Sequence, residues 1–179
     1  ETLEKNARLR DRLAIFEIGP VFIPRPGEIQ PDEPQKLSIA LTGLRLPPAW
    51  DRKDTAEFDF YDLKGIVEGL LDQVHIQQAR FIPASHPSYH PGMCADVYAG
   101  EILLGVMGEL HPLVKEHFDF MAPAVLAAEF DLGALLQVAG RQFETSGVST
   151  YPPVLEDIAL IVDEDVPAEK VESLIRQTG

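Results

Sequence analysis

The chain has 179 residues, 45% of them hydrophobic and 25% charged, enough for one globular domain, or one domain with a fragment of a second. Acidic residues outnumber basic ones 29 to 15, giving a net charge of −14 and a pI near 4.6; this argues against an independent, tight RNA binder, which needs clustered Lys and Arg to displace phosphate counterions. No run of about 18 apolar residues is present to span a membrane.

The chain opens on Glu1-Thr2-Leu3-Glu4-Lys5, with no initiator Met and no basic stretch leading into an apolar one. A piece of a longer cytoplasmic chain, without a signal peptide, is therefore expected. This opening reads as a helix on which Lys5, Arg8 and Arg12 lie about a turn apart. They read as a solvated face, with a nucleic-acid or partner contact as the alternative. Two apolar runs, residues 13–18 and 21–23, flank Gly19-Pro20, where a continuous ladder is expected to break. Pro24, Pro26, Pro31 and Pro34 predict a loop up to Gln35. Residues 37–41 alternate with period two and read as a strand with one buried face, and Pro47-Pro48 stops whatever follows.

The clearest helix runs from about Phe60 to Val74, where Phe60, Leu63, Ile66, Val67, Leu70, Leu71 and Val74 recur every three or four residues. Asp59 is placed to cap it, and Asp62 puts negative charge in the first turn, where the helix dipole favours it. Gly65 and Gly69 are expected to let a neighbouring strand come close. Strands are expected over 76–82, 95–98, 102–107 and 125–130, with a hairpin turn at Gly100 and a short helix over 112–118. Consecutive strands joined by short turns predict an α+β fold with a largely antiparallel sheet. Periodicity lapses between Gln142 and Thr150, which marks a boundary. Beyond it, residues 154–162 read as a strand and Pro167 opens a helix through Val171, Leu174 and Ile175. One strand and one helix cannot enclose a core, so this part reads as the front of an unfinished domain.

The densest set of reactive side chains is His86, His90 and Cys94, four apart, with His111 and His117 downstream. On a helix that spacing would align three zinc-competent ligands, but Pro91 keeps His90 out of the α region and Gly92 follows at once. A structured turn whose imidazoles satisfy backbone groups is the favoured reading, and a metal gathered by a loop is the alternative. Cys94 is the only cysteine, which excludes an internal disulfide and fits a reducing cytoplasm. Gly105 and Gly108 imitate a phosphate cradle but lack a third glycine, a Lys-Ser/Thr pair and a helix start, so a structural turn is expected. Ser85, His86 and an aspartate make a triad on paper only, since no nucleophile elbow accompanies them. Glu68 and Asp72 fall on the polar side of the main helix and read as solvated. The residues alone thus describe a soluble, acidic α+β domain in which no catalytic, cofactor-binding or metal-binding residue is assigned.

Five segments, in one order along nearly the whole chain, together resemble the β subunit of bacterial phenylalanyl-tRNA synthetase. They are Asn6 followed by Leu13-Ala14-Ile15-Phe16-Glu17-Ile18-Gly19-Pro20-Val21-Phe22; Asp59-Phe60-Tyr61-Asp62-Leu63-Lys64-Gly65-Ile66-Val67-Glu68; His86-Pro87-Ser88-Tyr89-His90-Pro91-Gly92; Gly105-Val106-Met107-Gly108-Glu109-Leu110-His111-Pro112; and Tyr151-Pro152-Pro153-Val154-Leu155-Glu156-Asp157-Ile158-Ala159. The resemblance implies a catalytic-like but non-catalytic module over residues 1–145, with the antiparallel sheet and flanking helices of a class II aminoacyl-tRNA synthetase. Residues 146–179 would then begin a ferredoxin-like anticodon-binding domain. It also implies a cytoplasmic α2β2 heterotetramer whose α subunit charges tRNA(Phe) with phenylalanine, ATP and Mg belonging to the parent complex and no cofactor to this segment. Contacts to tRNA belong to the complete complex.

In the class II pattern an Arg–acid pair follows the strand matched by Val21-Phe22, and a glycine-rich strand ends in Arg. Here Arg25 lies between Pro24 and Pro26 without an acidic neighbour, and the strand holding Gly105 and Gly108 ends in His111-Pro112. Glu156 precedes Asp157-Ile158-Ala159 where the family usually has Arg, which removes or reverses that charge. Competing functions are a ligand-sensing regulatory relative of class II synthetases and a metal-dependent enzyme built on the His-rich loop.

Overall fold

The computed structural model describes residues 2–51, 53, 55–118, 120, 124–140, 151–152 and 154–178. The chain divides into two compact units, Glu1–Phe143 and Glu144–Gly179. The first holds strands β1 (Arg12–Pro20), β2 (Gln35–Gly43), β3 (Ala79–Pro83), β4 (Tyr89–Ala99), β5 (Ile102–Leu110) and β6 (Val125–Asp131). They form one sheet, antiparallel throughout, in the order β1-β2-β6-β5-β4-β3. Helices α1 (Thr2–Ala7), α2 (Phe60–Gln73), α3 (Pro112–Lys115) and α4 (Leu132–Val138) accompany it. Among the described residues no helix is long and apolar enough to cross a membrane.

The core follows from the register. Leu37, Ile39 and Leu41 of β2 stand opposite Phe130, Ala128 and Leu126 of β6, and Met107 of β5 stands opposite Ala128. These residues share a face and a buried cluster with Leu63, Val67 and Leu71 of α2. All three helix residues are at most 2% exposed, so cutting Leu63 or Leu71 to alanine would cost about 2–5 kcal/mol. Asp59 and Asp62 form the reciprocal cap that starts α2: the Asp59 carboxylate accepts from the backbone N–H groups of Tyr61 and Asp62, and the Asp62 carboxylate accepts from Asp59 N–H. Arg45 reaches both carboxylates at 3.0 Å and ties the cap to the end of β2. Where β2 ends, Gly43 at φ +81° lies so close to Asp11 that an added Cβ would fall 2.0 Å from its carbonyl oxygen; no side chain fits there.

Several expectations shift or fail for identifiable reasons. The ladder does break at Gly19-Pro20, but at its far side: β1 pairs through Gly19↔Lys36 and Pro20↔Gln35 and ends there; β1 is an edge strand, where the missing proline N–H is tolerated. Gly65 and Gly69 admit no neighbour, since nothing lies within 4 Å of where either Cβ would be. Gly105 and Gly108 are mid-strand rather than in a turn: a Cβ on Gly105 would meet the Phe130 ring at 2.6 Å, and one on Gly108 would meet Tyr89 at 3.0 Å. β4 begins at Tyr89, well before the expected start, because its register shift between Tyr89 and Cys94 absorbs Pro91 and Gly92. Helix α4 lies outside the expected elements, although Asp131 followed by Leu132 and Leu135 is its cap and first apolar turn.

In the second unit, helix α5 (Ala168–Thr178) forms as expected, but residues 154–162 form no strand. The segment keeps a two-residue alternation without a ladder. Ile158, Leu160 and Val162 line a hollow of about 780 Å³ with Val171 and Ile175 of α5, while Leu155 and Ile161 are 91% and 103% exposed.

Candidate functional site

Residues directly opposite in an antiparallel pair share a face. On the side of the sheet away from α2, one row crosses all six strands: Ile82, Asp96, Val106, Glu129, Ser38 and Glu17. A cleft of about 400 Å³ is lined by Asp96, Val106 and Glu129 of this row together with Lys36, His86, Gly105, Asp131 and Ala134. Its chemistry is acidic. Lys36, the one lysine that lines it, pairs with Asp131 at 3.3 Å. Asp131 is held below the usual carboxylate range, first by the backbone N–H of Ala134, which donates to it at 2.9 Å, and further by Lys36. No arginine lines the cleft.

The His-rich segment is dispersed by the fold into local roles. His86 Nδ1 accepts from Ser88 N–H at 3.2 Å, which leaves it engaged by backbone rather than by Ser85. His111 caps α3 by accepting from Leu113 N–H at 3.1 Å, and His117 Nδ1 lies 2.7 Å from the Leu113 carbonyl. These three follow the expected turn chemistry. His90 does not: its Nδ1 is buried and meets no partner among the described residues. Burial pushes the Cys94 thiol up, with Asp96 adding to the effect and the His86 backbone N–H opposing it. A raised thiol is the reverse of what a thiolate ligand needs. Among the described residues, no three His, Cys, Asp or Glu side chains gather as a metal ion would require. On α2, Glu68 pairs with Lys64 at 2.9 Å, and Lys64 also stands 5.0 Å over the Phe81 ring; Asp72 is exposed.

The opposite face carries a second hollow, of about 350 Å³, between β1 and α2. It is lined by side chains such as Phe16, Ile18, Leu37, Ile66 and Leu70, all apolar. Phe16 is 73% exposed and Ile18 54%, so the sheet is left bare of cover at this edge.

Residues 1–132 match the family described as the phenylalanyl tRNA synthetase beta chain CLM domain. The chain belongs to the phenylalanyl-tRNA synthetase β-chain family. Its relatives include the phenylalanine–tRNA ligase beta subunit of Symbiobacterium thermophilum, 39% identical over 97% of this chain and 19% of that protein. Those of Lactiplantibacillus plantarum and Bacillus subtilis are 34% and 33% identical, each over 97% of this chain and over 22% and 21% of their own lengths. The chain thus spans about a fifth of the length of the curated relatives it matches. Two structures of pyrrolysyl-tRNA synthetase from Desulfitobacterium hafniense share the fold, at a TM-score of 0.55 and 19% and 20% identity, over 76% of this chain and 45% of theirs. The sheet is that of a class II synthetase domain, as the resemblance implied.

Within this β-chain fold, the positions compared with the class II catalytic pattern look different from their sequence. Arg25 is not without acidic neighbours. The hairpin beyond β1 closes through Ile23 and Asp32, whose backbone groups exchange bonds of 2.8 and 2.9 Å, and this brings Asp32 and Glu28 onto the Arg25 guanidinium. The strand that holds Gly105 and Gly108, β5, ends at Leu110 and is followed by His111 and Pro112, the cap and first residue of α3. Sequence reasoning missed Lys36, Asp96, Glu129 and Asp131 as a group. The signal was present: Asp96 and Glu129 are each an acid flanked by apolar residues in an expected strand, and only the register shows that both flank Val106.

Proposed function

We propose that this chain is part of the β subunit of a phenylalanine–tRNA ligase and serves there as a non-catalytic framework. Residues 1–145 act as the catalytic-like module, and residues 146–179 open the ferredoxin-like anticodon-binding domain. The partner is the α subunit, in a cytoplasmic α2β2 heterotetramer that uses ATP and Mg to charge tRNA(Phe) with phenylalanine. The observation that carries the reading is the charge of the cleft: Asp96, Glu129 and Asp131 against Lys36, which is already paired. Adenylate formation needs cations aimed at the charge that develops on the transferring group. Two like charges about 4 Å apart near a protein surface repel by about 4 kcal/mol, so carboxylates here disfavour a polyphosphate. Arg25, bound to Glu28 and Asp32, is a poor substitute.

The test is phenylalanine-dependent ATP–pyrophosphate exchange. The chain alone is expected to give none, the full-length β subunit alone none, and the β subunit with the α subunit full exchange. Exchange by the chain alone that Arg25→Ala abolishes would overturn the framework reading. Failure of an α subunit to copurify with the full-length β subunit would overturn the assembly reading.

A further inference from the structure

We draw no further inference here: the strongest candidate, the apolar groove of about 350 Å³ between edge strand β1 and helix α2, carries nothing because no feature of the structure shows what covers it.

Discussion

Strand β6 and residues 154–162 are nearly alike as sequence and differ in outcome. Both are short apolar runs interrupted by acid, Glu129 in one and the pair Glu156-Asp157 in the other, and both close on acidic residues, Asp131 in one case and Asp163-Glu164-Asp165 in the other. β6 lies between β2 and β5, and its Val125, Leu126 and Phe130 are 0% exposed. The later run has no ladder, and its Val154, Leu155 and Ile161 are 82–103% exposed. Propensity does not separate them. A strand is stable when its backbone N–H and C=O groups and both its faces find partners, and the first unit supplies four other strands before β5 and β6 close the sheet. The second offers α5 alone against one face.

Substitution draws the contrast most sharply. Phe130→Ala is expected to lower the stability of the main unfolding transition by about 3–5 kcal/mol, because the ring fills the space left by Gly105. Ile161→Ala, equally apolar in sequence, is expected to change it by less than about 0.5 kcal/mol. Urea titration of both variants measures the difference. Comparable losses would mean that residues 154–162 are packed and that the contrast is false. A second measurement needs no mutation. Amide hydrogen exchange should find β6 among the slowest regions, opening only with global unfolding, and residues 154–162 exchanging within a factor of about ten of an unstructured chain. Slow amides at Ile158, Leu160 and Val162 would show a ladder where none is described.

The same contrast explains what the sequence could and could not disclose. Helix α2 was legible down to its cap because everything that makes it is local: seven apolar residues at helical spacing, with Asp59 and Asp62 beside them. The sheet was legible as strands and turns, but its order was not, because β2 pairs with β6 across more than eighty residues. For the same reason the glycines of β5 looked like a turn; the Phe130 and Tyr89 rings that need their space come from other strands. The cleft suffered most. Asp96 and Glu129 are unremarked acids until the register sets both beside Val106, and Lys36 acquires meaning only opposite Asp131. The run over 154–162 failed the other way, since its alternation is real but pattern alone cannot supply a neighbouring strand.

Alkaline pH probes the packed unit in particular. Tyr89 is 7% exposed, and burial, with Glu129 and Cys94 adding to it, raises its phenol from 10.0 to about 12. The folded state therefore holds its proton more tightly than the unfolded chain. This contribution is complete below pH 10 and is lost as pH rises toward about 12. Tyr89→Phe keeps the ring against Gly108 and removes the ionisation, so stability measured by urea at pH 9, 10 and 11 should fall less steeply than in the parent chain. Equal slopes for the parent chain and Tyr89→Phe would mean that Tyr89 is wetter than its position implies.

The smallest expected effect belongs to the acid that ends β6. Asp131 caps α4 through Ala134 N–H and pairs with Lys36, and both lower its pKa, the backbone bond more. Because the folded value lies below the ordinary 3.8, Asp131 stabilises the fold above that range, and its contribution is lost as pH falls through the depressed value. Asp131→Ala removes cap and charge together and should cost about 1 kcal/mol at neutral pH. Asp131→Asn keeps a capping oxygen and should cost less, because the surviving loss is a half-exposed ion pair with Lys36. Acid pH isolates the contribution of the charge. As pH falls below about 3.8 the parent chain should lose stability relative to Asp131→Asn, and the gap between them should narrow. If instead the gap holds constant, the carboxylate acts through shape alone.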